Sequence, residues 1–154
     1  MSQLHTIGYE GAHLDDFIAT LKNAEVEVLI DIRDFPGSRK KGFSKTALAL
    51  ALSEVGVNYI HLRDLGDPKP GREAARRGDY RAFERIFRNH LAREESQEAL
   101  VEAVNIAKEF RSSLLCYERD HSGCHRSIVA EAMASHVPFR IEHLGVRTEL
   151  AVAG

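Results

Sequence analysis

The sequence predicts a single α/β domain over residues 1–154, built in three layers from a mostly parallel sheet of about five strands with helices on both faces. Three observations predict it. Short β-branched apolar runs alternate with segments of helical periodicity, an order that places helices over a parallel sheet. The strand-like runs are apolar almost throughout, as strands covered on both faces must be. The 154 residues, 44% hydrophobic and 29% charged, suit one core, with no internal repeat, low-complexity tract or linker to divide it.

Leu4–Tyr9 reads as a first strand, closed by Gly8 and Gly11. Over residues 14–25, Leu14, Phe17, Ile18 and Leu21 recur at helical spacing, and Asp15 and Asp16 sit where the helix dipole favours acids. Val26–Ile32 is the second strand. Asp34-Phe-Pro-Gly-Ser is a loop by composition. Ser44 stands at the N-cap position of a helix over Lys45–Val55, ended by Gly56. Val57–Leu62 is the third strand, and the polar stretch Arg63–Asp79, with Pro68, Pro70 and three glycines, reads as a long functional loop or lid. Tyr80–Arg93 and Gln97–Phe110 form two helices, or one helix bent near Ser96. Ser113–Glu118 is the fourth strand, Ser127–His136 a helix, and Val137–Leu144 a last strand suited to a sheet edge by Pro138.

The formal net charge is −2. That average speaks against an obvious nucleic-acid binder, yet it hides an asymmetry. Residues 63–93 carry nine Lys/Arg against five acids, whereas residues 94–110 carry one lysine against five glutamates. Arginine supplies 15 of the 21 basic residues, the side chain suited to planar recognition of carboxylate or phosphate. No run reaches the roughly 18 apolar residues of a membrane span, and no signal-like segment opens the chain. The expectation is a cytoplasmic protein with no membrane partner.

Ligands of parallel α/β sheets bind outside the carboxyl ends of the strands. Those ends here are Gly8-Tyr9-Glu10, Asp31-Ile32-Arg33, His61-Leu62-Arg63-Asp64 and Cys116-Tyr117-Glu118, the last followed by His121, Cys124, His125 and Arg126. Catalytic candidates are therefore Asp31, His61, Glu118 and Cys124. Candidates for holding a substrate anion are Tyr9, Arg33, Arg39, His125 and Arg126. The Cys124-His-Arg segment opens a helix, whose free N–H groups and positive dipole end favour an anion or a thiolate.

Structural readings compete at each position. Asp31 and Arg33 share a strand face and form a local ion pair equally well; His61 suits a satisfied core histidine, and Cys116 a small core hydrophobe. Cys116, His121, Cys124 and His125 offer soft ligands for a divalent metal, but the spacing lacks Cys-x2-Cys. A Cys116–Cys124 disulfide is set aside for a reducing compartment. No cofactor is firmly implied.

Thr6-Ile-Gly-Tyr-Glu-Gly, Asp31-Ile-Arg-Asp-Phe-Pro-Gly-Ser-Arg, Phe43-Ser-Lys, Tyr59-Ile-His-Leu-Arg-Asp-Leu-Gly and Cys116-Tyr-Glu-Arg-Asp-His-Ser-Gly-Cys-His-Arg together resemble the bacterial and archaeal domain-of-unknown-function 488 family, from residue 4 to about 135. The resemblance implies a small stand-alone α/β protein and supplies no reaction. The functional expectation from the residues is an anion site at the carboxyl edge, serving an enzyme on a phosphorylated or nucleotide-like substrate. A non-catalytic ligand-binding or sensing module and a metal protein are the alternatives. Nucleic acid stays open as a partner: residues Arg63 to Arg93 suit a phosphate backbone, but no aromatic ladder is visible in the sequence. Oligomeric state is not legible.

Overall fold

The computed structural model describes residues 2–146. Five strands, β1 (Gln3–Gly8), β2 (Val28–Asp31), β3 (Asn58–His61), β4 (Ser112–Cys116) and β5 (Arg140–Leu144), form one sheet in the order β3-β2-β4-β1-β5. Every neighbouring pair is parallel. The α/β expectation holds, and the sheet is more uniformly parallel than predicted. The last strand lies at an edge, as Pro138 suggested.

Helices α1 (Leu14–Asn23) and α2 (Lys45–Glu54) cover one face; α3 (Lys69–Arg76), α4 (Tyr80–Leu91), α5 (Glu94–Glu109) and α6 (His125–His136) lie on the other. The strand period of two sorts the side chains. Val28, Ile30 and Leu114 pack with Phe83, Phe87, Leu100, Val104 and Met133 on the α3–α6 side. Leu29 and Leu115 join Phe17, Leu21, Phe43, Leu48 and Leu52 on the α1–α2 side. Both faces are dry, which explains the continuous apolarity of the strands.

Three local expectations change. Ser44 occupies the N-cap of α2 but makes no side-chain cap bond. Tyr80–Leu91 and Glu94–Glu109 are two separate helices, so the bent single helix is excluded. The stretch read as a loop over 63–79 contains a 3-10 turn at Arg63–Leu65 and the helix α3. Pro70 and Gly71 disguised it. A proline in the first helical turn costs no hydrogen bond, because those N–H groups have no intrahelical acceptor. Gly71 is there for space, since a Cβ at that position would lie 2.0 Å from Asp67 Oδ1.

Strand order matters for the site. β4 is inserted between β1 and β2, so the chain leaves β2 and β4 in opposite directions and opens a crevice beyond their carboxyl ends. Gly8 makes the edge close-packed: a Cβ on it would lie 1.7 Å from the Glu118 carbonyl oxygen and 2.5 Å from Arg126 Nη1.

Candidate functional site

The polar residues at the strand ends separate into an inner group and an outer cleft. In the inner group Asp31 is fully buried and Arg33 nearly so. Arg33 Nε donates to Asp31 Oδ1 at 2.9 Å, Nη2 to Oδ2 at 2.7 Å, and the Arg33 backbone N–H to Oδ1 at 3.0 Å. The Tyr59 hydroxyl donates to Asp31 Oδ2, and Arg33 Nη1 reaches the Phe43 carbonyl at 2.6 Å. Burial opposes the charge on Arg33, but the hydrogen bonds and charge of Asp31 outweigh it and raise its pKa. Burial, followed by Asp31, raises that of Tyr59. Both Asp31 oxygens are thus occupied.

Two histidines clamp the exit of β2. His125 Nε2 lies 2.8 Å from the Ile32 carbonyl, and His61 Nε2 lies 2.7 Å from the Arg33 carbonyl. A carbonyl only accepts, so Nε2 carries the proton in both rings. Burial lowers the His125 pKa to about 4, so its ring is neutral at pH 7. These bonds fix consecutive carbonyls and so set the direction in which Asp34 and Phe35 leave the sheet.

Arg126 is 1% exposed. Its Nε donates to Thr6 Oγ1 at 3.1 Å, Nη1 to Cys116 Sγ at 3.1 Å and to the Glu118 carbonyl, and Nη2 to the Arg119 carbonyl at 3.1 Å. The guanidinium ties β1 to the loop after β4. The Cys116 and Cys124 sulfurs meet beside it, their Cα atoms 7.6 Å apart, wider than the roughly 4.4–6.8 Å of an ordinary disulfide. Their sulfurs and a Glu118 carboxylate oxygen lie within 4.8 Å of one another, a donor set that would serve a metal only with both sulfurs as thiolates. His121 is drawn away from it: its ring stacks on His143 at 3.6 Å, and its Nδ1 lies 3.2 Å from Ser127 Oγ.

The outer cleft lies over the crevice. Tyr9, Arg33, Asp34, Phe35, Asp67, Arg72, Arg76, Tyr117, Glu118 and His125 line a cavity of about 280 Å³. Arg72 Nη1 donates to Asp34 Oδ2 at 2.9 Å and to the Asp67 carbonyl at 2.7 Å, and Arg63 Nε stands 3.5 Å from Asp34 Oδ1. Asp67 is the exception among these carboxylates. It is 7% exposed, and its Oδ1 is buried with no hydrogen-bond partner among the described residues. Burial, then the charge of Glu118, raises its pKa to about 7 against the pull of Arg72. Burial also raises that of Glu118. A carboxyl that holds its proton near neutrality can donate it to a substrate.

Of the residues expected from the sequence, Tyr9, Arg33, Glu118 and His125 reach this cleft. Asp31, His61, Cys124 and Arg126 lie behind it, and Arg39 is exposed outside its lining. Sequence reasoning missed Asp34, Phe35, Asp67, Arg72, Arg76 and Tyr117. For Asp67, Arg72 and Arg76 the available signal was the unusual polar length of residues 63–79, which marked the segment but not its members; Asp34, Phe35 and Tyr117 adjoin strand ends that the sequence did mark.

A family model for the domain of unknown function DUF488 matches residues 13–133. The chain belongs to this family. The match runs from α1 through most of α6, and so includes every residue lining the cleft except Tyr9. Comparison with curated proteins and with solved structures found no match.

Proposed function

We propose that this DUF488 protein binds a phosphorylated, nucleotide-like ligand in the outer cleft and acts on it by acid–base chemistry, with Asp67 as the proton donor. One observation carries the reading: Asp67 lines the cleft, has a buried oxygen without a hydrogen-bond partner among the described residues, and holds its proton near pH 7. A group poised near the working pH suits general acid catalysis.

Arg72 and Arg76 stand in the position for a phosphate. They take the role expected of Arg126, whose donors are spent within the fold. Tyr9 and Tyr117, ring centroids 5.3 Å apart and edge to face, offer an apolar wall for a ring. His125 and His61 act as positioning residues through the β2 exit rather than on the ligand.

The test is a thermal-shift panel of nucleoside monophosphates, nucleoside diphosphates and sugar phosphates, followed by chromatography of ligands incubated with the protein. Stabilisation that grows with ligand concentration is expected, with conversion lost in Asp67→Asn while binding persists. No stabilisation by any phosphate-bearing compound would overturn the reading. Binding without conversion would leave a sensor in place of an enzyme.

A further inference from the structure

Exposed aromatic rings cost solvation and are informative when they gather. Phe35, Tyr80 and Tyr117 are 75%, 56% and 49% exposed. They lie far apart in the chain, on the β2 exit, the start of α4 and the β4 exit. In space they line two adjoining cavities, taken together as one groove. Tyr117 borders the cleft already described together with Phe35, and it also borders a second cavity of about 400 Å³ together with Tyr80. Arg72, Arg76 and Glu118 are common to both cavities, which therefore adjoin across these side chains. The Tyr80 ring lies beside Gly123, where an added Cβ would stand 3.4 Å from its Cε1.

We infer that the ligand of this groove is a single-stranded nucleic acid of at least two nucleotides, its bases stacked on Phe35, Tyr117 and Tyr80 and its phosphates along the arginines of α3. The inference rests on the phosphate-ligand reading above and specifies its substrate class. Each cavity has the size of the lower end of small-ligand sites, roughly 300–1,000 Å³, so two adjoining ones offer room for a unit on either side of Tyr117. Rings that stack on bases need those bases unpaired, which selects single strands over duplex. Arg76, Arg77 and Arg81 are exposed and follow one another from the groove onto α4.

Glu10, whose Oε1 accepts from the Arg119 backbone N–H, adds negative charge beside Tyr117 and Glu118, and the other acids near the arginines are partnered or buried. Asp34 is paired with Arg63 and Arg72, Glu73 lies 4.0 Å from Lys69, and Asp67 and Glu118 are the two carboxyls that burial holds toward the neutral form.

The experiment measures fluorescence anisotropy of labelled oligothymidylate and oligouridylate of one to eight nucleotides, beside a duplex of the same length. Affinity is expected to rise at least about tenfold from one nucleotide to four, to exceed that for duplex, and to fall with added salt. Tyr80→Ala should weaken tetranucleotide binding about tenfold, whereas Phe110→Ala, which removes an exposed ring outside the groove, should leave it unchanged; circular dichroism verifies both folds. Mononucleotide binding with no gain in length overturns the inference and leaves the proposed function standing. No binding of either overturns both. Length-dependent binding that ignores Tyr80→Ala, or that does not respond to salt, places the strand elsewhere and overturns the inference. The deoxy and ribo series decide between DNA and RNA.

Discussion

The inner polar group and the outer cleft are neighbours made from the same residue types, and they differ in what is left over. Asp31, Arg33, Tyr59, Thr6 and Arg126 spend their hydrogen-bonding capacity on one another and on the backbone. Asp67 leaves an oxygen unpartnered, and three aromatic rings stay in water beside Arg72 and Arg76. A saturated buried network builds architecture, because removing one member strands the others. An unsaturated one keeps capacity for a ligand. Polar residues at strand ends therefore do not by themselves mark a site.

Substitutions can break that comparison, beginning where the effect is largest. Arg33→Met leaves the Asp31 carboxylate buried without its cation; a loss of about 3–5 kcal/mol is expected in urea unfolding. A loss below about 1 kcal/mol would mean that the inner group is not structural. Gly8→Ala forces a Cβ against the Glu118 carbonyl, and overpacking of this kind costs about 1–3 kcal/mol. It should also reduce ligand binding, because the loop carrying Tyr117 and Glu118 must move aside.

Asp67→Asn tests the outer cleft and should act in the other direction. The folded pKa of Asp67 is raised from 3.8 to about 7, so between those values the folded protein holds a proton that the unfolded chain releases. Its contribution to stability is therefore greatest below pH 4, falls as pH rises to about 7, and is level above. Asp67→Asn removes this loss. Relative to wild type, the variant should gain stability progressively across that window, by up to ~2–4 kcal/mol at neutral pH. A difference curve that is flat from pH 4 to 8 would show that Asp67 titrates normally and has no reserve as a proton donor. His125 works with the opposite sign, since its folded pKa near 4 lies below the ordinary 6.5; its contribution is present above pH 6.5 and is lost as pH falls toward 4.

The smallest effect is expected far from both groups. Arg88 Nε and Glu84 Oε1, 2.9 Å apart on the outside of α4, form an exposed pair one helical turn apart. Arg88→Ala should change stability by about 0.5 kcal/mol or less. A larger loss would show that surface pairing on α4 contributes what we assign to the core.

Much of the fold is legible in the chain because helices and buried strands are short-range patterns. The alternation of Val28, Leu29 and Ile30 with the spacing of Phe17 and Leu21 reflects the two faces that each element buries. Helix α3 is not legible, because Pro70 and Gly71 are judged by local propensity while their positions are permitted by the helix start and by contact with Asp67. The strand ends brought Tyr9, Arg33, Glu118 and His125 into the candidate site. They also brought in Asp31 and Arg126, since residue type and strand position do not reveal whether a donor is already spent.

By itself the sequence determined the α/β class, the edge of the sheet at which polar residues collect, and the family. These depend on periodicity and on motifs contiguous in the chain. The tertiary structure alone decided the strand order, the division between saturated and open polar groups, and the placing of Phe35, Tyr117 and Tyr80 along two adjoining cavities. Those properties depend on which distant segments become neighbours, and parallel strands joined by helical crossovers set that only once the whole sheet has formed.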